Sequence, residues 1–143
     1  LSPYMQTLCI WSDIAAYSGA SFSTDRHSHF LTQLCLTVEA PLRLRGRNGM
    51  WREYRAALVP SGISHETEKS AHPFILIVFD PLTIGVNLFD SLSLTEGEPA
   101  IDASGLFSPA DTQRIAEALA SPGVEARQKI LQVLPLSKIC TIM

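Results

Sequence analysis

The run Phe74 to Phe79 constrains this chain most. Six apolar residues in a row, FILIVF, stand between Pro73 and Asp80-Pro81. A strand sends successive side chains to opposite faces, so a run apolar at both parities needs cover on both sides. It is far too short to span a bilayer, which takes about 20 residues of helix. The run therefore predicts a central strand between packed layers, and the rest of the chain must supply those layers.

The neighbouring segments read as short strands. Thr32 to Val38 alternates Leu34, Leu36 and Val38 with Gln33, Cys35 and Thr37, which predicts one face in packed core and one on a less apolar space. Pro41 to Arg45 sets Leu42 and Leu44 against Arg43 and Arg45, so the arginines should face water. Gly46 and Gly49 flank Arg47-Asn48 and predict a hairpin turn into Met50 to Tyr54. Ala56 to Val59 makes a further strand stopped by Pro60. Met5 to Tyr17 reads as two short strands broken at Ser12-Asp13, with a helical turn from Ile14 as the competing reading. Ser21 to His29 is a polar strand edge or loop. Many short strands divided by turn residues predict an antiparallel sandwich or barrel.

The carboxyl third changes character. Ser108-Pro109-Ala110-Asp111 is a helix start, with Ser as N-cap, Pro in the first turn and an acid near the positive helix end. Ile115, Ala118 and Leu119 form its apolar stripe. Ser121-Pro122 repeats the cap-then-proline signal, Glu125 again places an acid early, and Ala126, Ile130, Val133 and Leu134 recur at helical spacing up to Pro135. Strands come first and helices after, which is not the alternation of parallel α/β folds. The predicted division is a barrel over residues 1–105 and a helical hairpin over 106–143, packing on it or serving dimerisation. Leu82 to Gly105 carries no readable pattern.

Composition narrows the use. The 143 residues, 46% of them hydrophobic and 17% charged, predict one compact domain. Eleven basic against fourteen acidic residues leave a net charge of -3, a poor footprint for gripping phosphate backbones. Cys9, Cys35 and Cys140 lack metal or redox spacing, so reduced thiols and a cytoplasmic location are expected. No segment reads as a membrane span or a signal peptide. The chain begins with Leu1, which suggests a piece of something longer.

The candidate chemistry lies between His27 and His65. His27, His29 and Gln33 share odd parity and would leave an extended run on one face. Cys35 shares it too, and His65 follows the turn Pro60-Ser61-Gly62. These residues resemble the two motifs of the cupin superfamily, H-x-H-x-x-x-E and P-x-G-x-x-H. Two positions depart from it: Gln33 stands where the metal-binding Glu would be, and Lys69 where the second motif ends in Asn. The H-x-H-x-x-x-Q form followed by V-P-S-G-x-x-H is more similar to the amino-terminal sensor domain of AraC-type transcriptional regulators. That resemblance implies a mainly β fold, a cupin-like double-stranded β-helix or jelly-roll barrel, followed by two C-terminal α-helices.

Its functional implications divide. As a sensor domain the chain would bind a small organic ligand through His27, His29, Gln33, Cys35 and His65, form a homodimer, and reach DNA only through a helix-turn-helix module absent from these residues. As a small metal-dependent enzyme of the dioxygenase, isomerase or lyase type, it would hold zinc, iron or nickel through His27, His29, Gln33 and His65. That ligand set carries no negative charge, so a buried dication would keep its full desolvation cost. Gln33 brings both a donor and an acceptor, which suits a hydroxyl or carboxylate better than a metal. Binding is therefore expected ahead of catalysis. For His72, before Pro73, a solvated position is expected. The arginines at 43, 45, 47, 52 and 55 read as a solvated outer face, with an anion or partner contact as the alternative. The Ala126 to Leu134 stripe packs on the barrel or forms a homodimer seam.

Overall fold

The computed structural model describes residues 6–20, 31–80, 94–121, 123 and 125–134. Nine strands, β1 (Thr7–Ile10), β2 (Ile14–Ala20), β3 (Thr32–Thr37), β4 (Leu42–Arg45), β5 (Trp51–Tyr54), β6 (Ala56–Val59), β7 (Glu66–Thr67), β8 (Pro73–Phe79) and β9 (Ile101–Asp102), precede two helices, α1 (Pro109–Ala120) and α2 (Ala126–Val133). The strands form two antiparallel sheets, a six-stranded one in the order β1-β2-β8-β3-β6-β9 and a three-stranded one in the order β5-β4-β7. From β3 to β8 the chain passes back and forth between the sheets. The architecture is mainly β, a jelly-roll barrel closed on one side by the small sheet and followed by two helices.

The FILIVF run behaves as its composition requires. β8 lies between β2 and β3, paired antiparallel with both. Ile75, Ile77 and Phe79 join Leu34, Leu36 and Leu58 in one buried cluster, and that cluster also takes Ile115, Leu119, Ile130 and Leu134 from the helices. Phe74 faces the other way, into a second cluster with Leu42, Leu44, Ala57 and Val59. The large sheet is thus packed on both faces, helices outside and the small sheet inside. For β3 the expected difference between faces disappears, because all six residues are buried.

Local chemistry fixes most boundaries. Ser108 caps α1 by accepting from the Asp111 N–H, while the Asp111 carboxylate accepts from the Ser108 N–H at 2.9 Å, a reciprocal capping box with Pro109 opening the helix. Ile14 to Tyr17 belongs to β2 and not to a helical turn, since register with β1 and β8 satisfies its backbone along its whole length. The second helix departs from expectation. Ser121 is the C-cap of α1, and α2 starts at Ala126 after a turn in which the Ala126 N–H donates to Gly123 O at 3.1 Å. Glu125 occupies the N-cap of α2 but makes no side-chain capping bond.

The β4–β5 hairpin turns at Gly46 to Gly49, with the Gly49 N–H donating to Gly46 O at 3.1 Å. Gly46 is there for space: a Cβ on it would sit 2.5 Å from Gly97 O and 2.7 Å from Pro99 N. The small sheet's outer face is an ion-pair ladder. Arg45 grips Glu66 through two bonds of 3.3 and 2.8 Å, Arg43 meets Glu68 at 3.0 Å, and Arg52 meets Glu98 at 2.9 Å. The Arg45 guanidinium also lies 4.6 Å from the Trp51 ring centre. Three of the five clustered arginines are therefore neutralised in place. His72 is exposed, with Nδ1 at 3.3 Å from the Glu39 carboxylate.

Candidate functional site

The site is built from two facing strands and one turn. On β3, Gln33 stands opposite Val59 and Val78, and Cys35 opposite Ala57 and Leu76. Val59, Ala57 and Cys35 itself belong to the cluster between the sheets, so the odd residues of β3 point into the barrel. Both side chains are buried, Gln33 at 8% exposure and Cys35 at 1%. The Gln33 amide N–H donates to Cys35 Sγ at 3.3 Å.

The second strand arrives through a turn of defined chemistry. The Ile63 N–H donates to Pro60 O at 3.2 Å, and Gly62, third in this turn, has φ 81°. A type II turn needs that left-handed φ at its third position, and glycine adopts it without strain. β7 follows, paired with β4 so that Thr67 lies opposite Leu44 and Glu66 opposite Arg45. Leu44 faces the interior, hence so does Thr67, and His65 two residues earlier shares that face. His65 is 1% exposed and its Nδ1 lies 3.0 Å from Ile63 O. A carbonyl can only accept, so Nδ1 carries a proton and donates it to Ile63 O.

Gln33 and Cys35 on β3 and His65 just before β7 are thus each turned toward the interior between the two sheets. His27 and His29 lie outside the described residues. Of the other buried polar residues, Thr37 and Thr67 share the inward faces of Gln33 and His65, and sequence reasoning passed over both as site residues. Thr37 had the parity that would have found it, and its hydroxyl donates to Arg55 O at 3.1 Å. Thr67 had no such signal, since β7 is only two residues long. Tyr54 is buried as well, its hydroxyl 3.5 Å from Ala100 O.

Among the described residues, the buried polar side chains are serine, threonine, glutamine and histidine, with no Asp, Glu, Lys or Arg. Burial pushes the Cys35 thiol up to about 11, with the Gln33 hydrogen bond opposing the shift only in part. Cys35 is thus a protonated thiol at neutral pH and not a nucleophile. Burial, reinforced by the Glu98 carboxylate, likewise raises Tyr54 to about 12.

The same inventory tests the metal expectation. Among the described residues no three His, Cys, Asp or Glu side chains are placed to hold an ion. The described part of the expected donor set is the His65 imidazole and the Gln33 amide oxygen. These two donors carry no negative charge, so a dication held by them would need an anionic partner to offset its own.

No family model matches the chain, and no curated protein matches it. Solved structures give partial likenesses. A protein from Neisseria meningitidis aligns at 16% identity and TM-score 0.44, over 54% of this chain and 85% of that one. An RmlC-like cupin protein from Desulfovibrio desulfuricans aligns at 15% identity and TM-score 0.41, over 54% of this chain and 81% of that one. A DMSP lyase from Ruegeria pomeroyi aligns at 19% and TM-score 0.38, over 49% of this chain and 39% of that one. Likenesses of this size concern the outline of the barrel and carry nothing about chemistry. In the described residues, no helix is long and apolar enough to cross a membrane.

Proposed function

We propose that this chain is a small-molecule-binding barrel of cupin type, working as the sensor and dimerisation domain of an AraC-type transcriptional regulator. The observation that supports it is the buried polar group Gln33, Thr37, His65 and Thr67, turned toward the interior between the sheets. A glutamine amide and an imidazole select donors and acceptors on a ligand, while the apolar walls from Val59 and Phe74 exclude water. The helices packed on the opposite face of the same sheet give a bound ligand a route to the rest of a regulator.

Thermal unfolding against a panel of neutral polyols, monosaccharides and small carboxylic acids tests the binding role. A ligand present at 100 times its Kd adds about 2.7 kcal/mol, a rise of roughly 8 °C for a domain of this size. The expected result is a rise of that order with one chemical class, abolished in Gln33→Leu and in His65→Phe. A rise that survives both substitutions, or turnover that depends on added iron, nickel or zinc, overturns the reading. The regulator role is tested separately by the genomic codons after Met143, which should continue into a helix-rich module of about a hundred residues. A stop codon there refutes it.

A further inference from the structure

α2 is a helix that its own sequence holds poorly. It has eight residues and no side-chain cap, whereas an isolated helix needs roughly 12 to 15 to be even marginal in water. α1, with twelve residues and a complete capping box, has no such weakness. Arg127 sits in the first turn of α2, where the positive end of the backbone dipole disfavours a cation. Helix formation therefore does not account for its position.

Asp13 does. It lies in the turn between β1 and β2, closed by the Trp11 N–H donating to Ile14 O at 2.9 Å. Arg127 Nε donates to Asp13 Oδ1 at 3.0 Å and Arg127 Nη2 donates to Asp13 Oδ2, a two-pronged contact between residues 114 apart in sequence. Such paired, planar bonds are geometrically specific in a way that a single lysine contact is not. Beyond this clasp, Ile130 and Leu134 tie α2 to the cluster outside the large sheet. The clasp ends on a turn whose strand, β2, pairs along its length with β8, and β8 with β3, the strand that carries Gln33 and Cys35.

We propose that the Asp13–Arg127 pair is a latch that makes α2 a separately opening unit. Closed, it seats α2 on the barrel. Broken, it leaves α2 held by Ile130 and Leu134 and by its packing on α1, so α2 opens more often while α1 and the sheets stay folded.

Native-state hydrogen exchange on the whole chain tests this. Amides of Lys129 and Leu134, which donate to Glu125 O and Ile130 O, report α2; Thr112 in α1 and the amides of β8 are internal controls. In Asp13→Asn, exchange in α2 should rise roughly two- to fivefold with α1 and β8 unchanged, the signature of a local opening. Arg127→Asp should do the same even though an acid suits the first turn of α2. The double variant D13R/R127D should restore protection, which isolates the pair from the helix's own preference. In the unaltered protein, raising salt from about 0.05 to about 0.5 M should speed exchange in α2 more than in β8, since a partly exposed pair is screened. The proposal is overturned if α2 and α1 exchange together in every form, if the single substitutions speed all elements equally, if the double variant fails to restore protection, or if salt leaves α2 unmoved.

Discussion

Ser18 shows how closely a single side chain can be judged. It is fully buried on β2, opposite Ile75, and among the described residues its hydroxyl has no hydrogen-bond partner. A buried hydroxyl left unpaired costs on the order of 1–3 kcal/mol, whereas a methyl there costs nothing in solvation. Ser18→Ala should therefore raise stability by about 1 kcal/mol, read as a higher midpoint in urea unfolding with an unchanged slope. A fall in stability would mean that the hydroxyl has a partner elsewhere in the chain. Single positions were also where the sequence was most readable at the site. The parity of Gln33 and Cys35 survives because β3 is extended without a bulge, and His65 faces inward because Gly62 makes the turn that its pattern announces. What parity could not supply was the partners on the small sheet's outer face: the glutamates that meet Arg43 and Arg45 lie more than twenty residues away in the chain, and the β4–β7 pairing brings them alongside.

Among the elements, legibility followed length. β2, β3 and β8, of six or seven residues, had enough positions for a period to show; β7 and β9, with two each, had none and exist only because a neighbour's backbone pairs with them. The start of α2 was misplaced because Ser121-Pro122 has the composition of a cap, yet Ser121 ends α1 instead. The latch adds a pH dependence to this element. The hydrogen bond from Arg127 holds the Asp13 carboxyl below the ordinary carboxylate range. A carboxyl whose pKa falls on folding stabilises the native state fully above its unfolded value of about 3.9, and that contribution disappears as pH drops through the lower folded value. Urea unfolding should therefore show Asp13→Asn weaker than the parent by roughly 0.5–1 kcal/mol at pH 7, the range of partly exposed pairs, with the difference closing below about pH 4. A gap that stays constant down to pH 2 would assign the effect to packing.

At the scale of the molecule, the helices are part of the barrel's own core. Ile130 is 0% exposed and Leu134 is 1% exposed, both in the cluster with Ile75, Ile77 and Phe79. The stripe once open to reading as a homodimer seam is spent inside one chain, so a dimer would have to use another surface. Ile130→Asp should accordingly cost about 3–5 kcal/mol, the scale of an unpaired charge placed in a core, and appear as lost thermal stability whatever the state of association. A folded, merely dissociated variant on analytical ultracentrifugation would contradict this.

The larger sheet has one consequence for how such a molecule behaves in company. β1 is its outermost strand on one side among those described, and there Leu8 is 64% exposed and Ile10 72% exposed. A strand at a sheet's border with oily side chains turned outward is a template for an extended peptide that drifts past. Crowding this domain during synthesis or storage thus favours fibrous or tangled association along that rim, and a lysine borne there would act as a bumper at little expense to the fold.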